Sequence, residues 1–262
     1  LAVGDMKQSN RSELGSFLRS RRERLNPRAV GIGSQRRRRT AGLRREEVAE
    51  LAGIGVDWYI RLEQGRSVSP SMATIDALAR ALRLNKAERE HVRALAQNAG
   101  RRAFSRERVP STIVRLVESL NQPAYVVGRR WDVLAWNRAA DDLFGFGRLP
   151  EDSRNTLVNV LTNPHTRRLF GKSWAGEAKR MVAEFRATHD LWSGDPAFVD
   201  LLERLRAGCP EFALWWDSHD IGAARAGRKR LSHPKLGTVR LSYASFQSND
   251  DRALKLVIYT PA

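Results

Sequence analysis

The 262-residue chain holds a single cysteine, Cys209. One thiol excludes an intramolecular disulfide and any zinc site assembled from cysteines. Long apolar runs are missing too, since none approaches the roughly 18 residues that a membrane-spanning helix needs. The stretch LAVGDMKQSNRSELG at the N-terminus lacks the basic-then-apolar layout of a signal peptide. A cytoplasmic protein of a bacterial cell, without a membrane partner, is therefore expected, and residues 1–11 are expected to be a disordered or extraneous tail. Catalytic fingerprints are absent as well: the chain has no G-x-S-x-G, P-loop, H-E-x-x-H or dinucleotide-binding glycine motif. His219 and Asp220 are neighbours, as are His233 and Pro234, and adjacent side chains diverge on a strand or helix. Neither pair makes a dyad. No enzymatic activity, catalytic residue or metal site is expected, and the histidines are expected to serve as hydrogen-bonding groups.

Acidic residues are in short supply, 29 against 46 Lys and Arg, for a formal net charge of +17. The deficit sits at the front. Residues 1–108 carry 24 basic and 12 acidic side chains, the remainder 22 and 17. A basic front joined to a near-balanced back points to a polyanion-binding module followed by something else. Hydrophobic residues, 42% of the chain, suffice to bury the cores of two domains.

Leu14, Phe17, Leu18 and Leu25 recur at helical spacing and predict a helix capped near Ser12. Residues 26–42, with Pro27, three glycines and four consecutive arginines, have no periodicity and predict a loop. A second helix is predicted from Leu43, with Val48, Leu51 and Ala52 inward and Ala49 small enough for a close crossing. Gly53 suits the left-handed turn that ends it. A third helix follows from Val56 to Gln64, burying Tyr59 and Leu62. The order of Ala49, Gly53, Tyr59 and Leu62 is the pattern of a helix-turn-helix. Two more helices carry Met72, Ile75, Leu78, Ala79 and Leu82, then His91, Val92, Leu95 and Ala96. The expectation is an all-α, five-helix domain over 12–100.

RRRRTAGLRREEVAELAG (Arg36 to Gly53), RLEQGR (Arg61 to Arg66) and TIDALARAL (Thr74 to Leu82) resemble the Xre/Cro family of helix-turn-helix domains, in its subgroup with an Arg-rich insert before helix 2. The resemblance covers 12–97 and implies double-stranded DNA as partner. It places Val56, Asp57 and Arg61 at base edges in the major groove, and Arg44, Arg45 and Trp58 at phosphates. It also implies an Arg22–Glu63 bridge between helices 1 and 3. An Arg61 fork suits guanine O6 and N7, and Val56 suits a thymine methyl. Asp57 departs from the amide or hydroxyl usual there; it accepts only from cytosine N4 and repels phosphate. Arg45 stands where relatives commonly carry Gln. The run Arg36, Arg37, Arg38 and Arg39 suits phosphate or minor-groove contact. For each of these charges the plainer alternative, less favoured, is a solvated side chain.

The polar stretch 101–112, ending near Pro110, predicts a linker. Over 113–262 the pattern predicts an α+β domain with an antiparallel sheet. A helix with Ile113, Leu116, Val117 and Leu120 leads into strands at Ala124–Val127 and Asp132–Trp136, and Asn137 caps the next helix. Helices are expected over 151–207. Strands then return at Thr238–Phe246 and Ala253–Thr260, joined by a hairpin at Ser248–Arg252. This opening resembles that of a PAS domain. VLAWN (Val133 to Asn137), PEFALWWDSHDI (Pro210 to Ile221), HPKLGTVRL (His233 to Leu241) and LVIYTP (Leu256 to Pro261) resemble the ligand-binding domain of MmyB-like transcription regulators.

That resemblance implies a PAS-like pocket for an apolar or amphipathic, fatty-acid-like molecule, with no other cofactor. Six of the seven tryptophans lie in this half, at 131, 136, 174, 192, 215 and 216. Such residues are more often core or interface anchors than ligand walls. Tyr125, Trp136 and Trp215 are candidate lining residues. Arg186 is a candidate anchor for a carboxylate, with a plain salt bridge as its alternative. The expectation is a sequence-specific regulator acting as a homodimer on an inverted-repeat operator. The alternative makes the second domain a ligand-free module for dimerisation or protein contact.

Overall fold

Leu14, Phe17 and Leu18 do fall on one buried helical stripe, but their helix starts well before Ser12. The computed structural model describes residues 2–33, 42–66, 68–97, 103–222, 226–234 and 236–262, with side chains from Gln8 onward. It divides into two compact units. The first comprises Leu1–Ala103 with two later stretches, His189–Val199 and Ser218–Ile221; the second holds Phe104–Thr188, Asp200–Asp217 and Gly222–Ala262.

In the first unit α1 (Ala2–Arg24) is followed by α2 (Arg45–Ala52), α3 (Val56–Glu63), α4 (Met72–Ala81) and α5 (Lys86–Gln97). The expected tail is therefore helical over 2–11. No proline interrupts it, Gln8 donates to the Gly65 carbonyl, and Asn10 is buried. Phe17, Leu18, Leu43, Val48, Tyr59, Ile75, Leu78 and Val92 form the core, each 0–1% exposed. Leu51, expected inward, is exposed.

Across this core lies a buried ion network. Arg22 on α1 donates from Nε and Nη2 to the two Glu63 oxygens at 2.8 and 2.9 Å, and from Nη1 to the Leu43 carbonyl at 3.0 Å. Arg45 on α2 binds Glu63 Oε1 from Nε and Nη2 at 2.9 and 2.8 Å. Burial would raise the Glu63 carboxyl, but the hydrogen bonds from Arg22 and Arg45 outweigh it and hold the group below its ordinary value.

The helices of the second unit start with α6 (Ser111–Ser119), the helix expected around Ile113, which begins two residues earlier within the stretch expected as linker; β1 (Ala124–Val127), β2 (Val133–Trp136) and α7 (Arg138–Phe144) follow. Helices α8 (Thr156–Thr162), α9 (Pro164–Phe170), α10 (Trp174–His189), α11 (Pro196–Gly208) and α12 (Pro210–Asp217) follow; α10 ends and α11 begins within the stretch belonging to the first unit. Then come β3 (Gly227–His233), β4 (Gly237–Gln247) and β5 (Lys255–Pro261). The strands form one antiparallel sheet in the order β2-β1-β5-β4-β3. Asn137 caps α7 as expected, accepting from Ala140 N at 2.9 Å. It also accepts from Ala124 N and donates to the Leu120 and Gln122 carbonyls, pinning α6, β1 and α7 together.

One sheet face packs Ala124, Val126, Leu256 and Ile258 against Val117 of α6. The other carries Tyr125 and Tyr259, covered by Phe144 and Phe146 at ring distances of 5.2–5.9 Å. Strand β3 was not predicted. GRKRLSH has only one apolar residue, Leu231, and that residue is fully buried.

Replacing Glu63 by Ala should strand two guanidinium groups and destabilise the first unit by about 3–5 kcal/mol, as measured by chemical denaturation. Because the folded-state pKa of Glu63 is depressed, its contribution is complete above the ordinary carboxylate value of about 4.3 and is lost as pH falls through the lower folded value. The acid limb of the stability profile should therefore flatten in Glu63→Gln. An unchanged acid limb would show that Glu63 is not the group responsible.

Candidate functional site

Two surfaces carry the chemistry, one in each unit. In the first, α2 ends at Gly53, whose φ of +66° is the left-handed conformation glycine adopts without strain. Ile54 N donates to the Ala49 carbonyl at 3.0 Å, closing the helix end and turning the chain sharply into α3. Burial of Tyr59, Leu62 and Glu63 on one side of α3 leaves Asp57, Arg61 and Gln64 exposed in a single stripe, spaced i, i+4 and i+7. Val56 and Trp58 are half-buried against the core.

Arg44, before α2, is exposed, and its backbone N–H is capped by the Glu47 carboxylate at 2.7 Å. Arg45 differs from its neighbour. Its guanidinium binds Glu63, so it is first a structural ion-pair partner and only its outer edge faces solvent. Arg36, Arg37, Arg38 and Arg39 lie outside the described residues. The Arg22–Glu63 pair joins α1 to α3, as the resemblance implied.

In the second unit a cavity of about 90 Å³ lies between the sheet and α10. Tyr125, Val127, Val257, Tyr259 and Tyr243 line its sheet side, and Trp131, Met181, Arg180 and Glu184 line it opposite. Trp131 has a φ of +66°, unusual for a bulky residue, and its ring packs edge-on to Phe185 at 5.5 Å. Among the described residues three cations reach this space: Arg180, Lys229 and Lys255.

Arg180 is held by Glu177, at 2.5 and 3.2 Å, and by Glu184. Lys229 binds Glu177 at 2.8 Å and sits 4.8 Å from the Tyr243 ring centre. Lys255 makes no ion pair among the described residues. Burial tends to raise Glu177, yet Arg180 and Lys229 keep it below the ordinary range. For Glu184 burial wins and the carboxyl is raised. Burial likewise pushes the Tyr125 and Tyr259 phenols well up, leaving them neutral donors whose oxygens lie 3.3 Å apart.

Of the four residues expected at a ligand, Tyr125 lines this cavity and three do not. Arg186 is buried but donates to the Trp216 carbonyl at 2.5 Å, under the Trp216 ring. Trp136 packs against Phe146 beneath Arg154, and Trp215 packs against Trp174. These side chains serve the core. The cations that do reach the cavity gave weak sequence signals. Arg180 sits between Glu177 and Glu184 in what reads as a surface ion-pair ladder, and Lys229 lies in the basic run of the unpredicted strand. A wider groove of about 700 Å³, lined by Leu143, Phe144, Leu149, Val239 and Leu241 with Leu236 exposed beside them, lies elsewhere in the same unit.

A helix-turn-helix with a charged outer stripe, together with a sheet unit holding a cavity, defines a DNA-binding transcription regulator. A helix-turn-helix domain model matches residues 13–92. The model of the MmyB-like transcription regulator ligand binding domain matches residues 109–262, and the chain belongs to that family. A search of curated proteins finds no match to the chain. No helix among the described residues is long and apolar enough to cross a membrane.

Arg44 and Arg45 should separate in mutagenesis. Arg45→Ala removes a partner of buried Glu63 and should lower stability by about 1 kcal/mol after allowance for its exposure. Arg44→Ala should leave the melting temperature unchanged. Thermal melts of the two variants decide it, and equal melting temperatures would contradict the assignment.

Proposed function

We propose that α3 reads the operator through Arg61, with Asp57 and Val56 beside it, while Arg44 and the outer edge of Arg45 hold phosphates. The observation that carries this is the single exposed stripe of a helix whose other side is locked into the core. Arg61 is exposed and presents five donors, with no carboxylate at hydrogen-bond distance among the described residues. One helix-turn-helix covers a half-site, so a homodimer on an inverted repeat is the matching assembly, with half-sites about 34 Å apart.

The cavity in the second unit is the proposed sensor. Its apolar walls and converging cations suit an amphipathic acid, with the head at Lys255 and the chain along Val257, Val127 and Met181. At about 90 Å³ it is far below the roughly 300–1,000 Å³ usual for drug-sized ligands. A fatty-acid-like molecule must therefore widen it, and that differential fit is what a ligand needs to shift a conformational equilibrium. A second function for this unit, a ligand-free dimer interface formed with another copy of the chain, is supported by the larger groove beside Leu236. The two readings separate by whether any acid is bound.

Arg61→Ala should cost about 1–3 kcal/mol on a selected operator and relax one base preference, against a smaller change on random duplex. Equal losses on both would remove Arg61 from base reading. A thermal-shift series of medium- and long-chain acids should show stabilisation that rises with chain length, toward about 0.8 kcal/mol per buried CH₂, and weakens in Lys255→Ala. No shift with any acid leaves the dimer-interface reading. Sedimentation equilibrium should give a dimer at micromolar concentration; a monomer both free and on DNA would rule out the paired half-sites.

A further inference from the structure

The family match places residues 109–262 in the ligand-binding region, yet two stretches inside it are built into the first unit. Leu191 and Ile221, one from each stretch, pack against that unit's apolar core. The Asp190 carboxylate is buried between two imidazoles. Its Oδ2 lies 3.2 Å from His91 Nε2 on α5, and its Oδ1 lies 3.1 Å from His189 Nδ1. Ser193 donates to Asn10 on α1 at 3.1 Å, with both side chains buried.

The second stretch takes the far end of the same helix. Arg21 donates to the His219 carbonyl, and Arg24 donates to Asp220 at 2.7 Å and to the Ser218 carbonyl. His219 has a φ of +51°, a left-handed conformation that a non-glycine residue keeps only where its surroundings enforce it. Helix α1 is thus gripped at Asn10, Arg21 and Arg24. Between the last two, Arg22 reaches Glu63 at the end of α3 and the Leu43 carbonyl just before α2.

We infer that His189–Val199 and Ser218–Ile221 are positioning segments for DNA reading: they set α1, and α1 sets α3. The inference rests on α3 being the recognition helix. A buried carboxylate facing two imidazoles and a strained residue aimed at an arginine are costly arrangements. The first holds α5, whose His91 ring packs edge-on to Phe17 of α1 at 5.1 Å, and the second holds α1 itself. Helix α1 in turn meets α3 through the Arg22–Glu63 pair and at Gly15, where a Cβ would lie 2.4 Å from the Glu63 carbonyl oxygen. His189, the first residue of the first segment, is also the last of α10, which supplies Arg180, Met181 and Glu184 to the cavity wall. The positioning segment is covalently continuous with that wall.

The test uses the full-length chain carrying Asp190→Ala, Asp190→Asn or Ser193→Ala. Hydrogen exchange is followed in α1, α3, β1 and β5, and affinity is titrated with a duplex selected from a randomised pool by the unsubstituted protein and with a mixed-sequence duplex. Asp190→Ala should speed exchange in α1 and α3, leave β1 and β5 unchanged, and weaken the selected duplex on the order of tenfold, with a smaller loss on mixed sequence. Asp190→Asn keeps one acceptor and should fall between. If Asp190→Ala does not fold, Ser193→Ala carries the same directions at smaller size. Unchanged exchange in α1 and α3 overturns the positioning role. Faster exchange in α1 with α3 and selectivity intact overturns the step from α1 to α3. Faster exchange in both helices with equal loss on the two duplexes upholds the positioning and instead removes α3 from base reading.

Discussion

Glu63 is a carboxylate with almost no contact with water, and the first unit is arranged around satisfying it. Isolated, such a charge would be too costly to bury. Arg22 and Arg45 meet it from α1 and α2, and Arg22 also takes the Leu43 carbonyl, so one acid fixes three helices and the segment entering α2. The arrangement reaches into the backbone. A Cβ at Gly42 would lie 2.3 Å from the Arg22 and Glu23 carbonyls, so only glycine lets the chain approach closely enough for Leu43 N to bond Arg22 O at 3.0 Å. Because Glu63 is the last residue of α3, the network holds one end of that helix and leaves the opposite face, with Asp57 and Arg61, free of structural duty.

The second unit solves a related problem differently. Around β1 and β5 its sheet is apolar on both faces, covered by α6 on one and by Phe144 and Phe146 on the other. The buried cations of the cavity are neutralised locally. Glu177 serves both Arg180 and Lys229, and aromatic rings shield Lys229 on the sheet side. Lys255 lies outside this arrangement. An anion reaching Arg180 or Lys229 would have to compete with the α10 carboxylates Glu177 and Glu184, whereas Lys255 has no such competitor among the described residues.

Much of this was legible beforehand. Helix periodicity located the apolar stripes of α3, α4 and α5, Gly53 marked the turn, and Asn137 marked a cap, because each is a local rule in which a residue type answers a backbone requirement a few positions away. The β5 pattern was read on one face only. Leu254, Leu256 and Ile258 do alternate toward α6, but Val257 and Tyr259 between them form the cavity wall, and a strand buried on both sides gives alternation no power to tell the faces apart. Strand β3 escaped because its outward residues, Arg228 and Arg230, hide the inward pair of Lys229 and Leu231 in what looks like a basic loop. Arg186 was chosen for sitting on an apolar helix, and that property also describes a core arginine bonded to a carbonyl.

The sequence by itself determined the helix-turn-helix, the antiparallel sheet and the family, since these follow from spacing and local turn chemistry. Beyond the Arg22–Glu63 pair, which the resemblance implied, only the tertiary structure decided which charges meet. Glu63 with Arg45, Glu177 with Lys229, and Asp190 with His91 join residues 18, 52 and 99 positions apart. Neither spacing nor composition marks such pairs, because a charged side chain reads alike whether it is solvated or buried against a partner. It was likewise the fold that assigned His189–Val199 and Ser218–Ile221 to the DNA-reading unit. Packing joins surfaces in space, and chain order does not constrain which domain a buried loop completes.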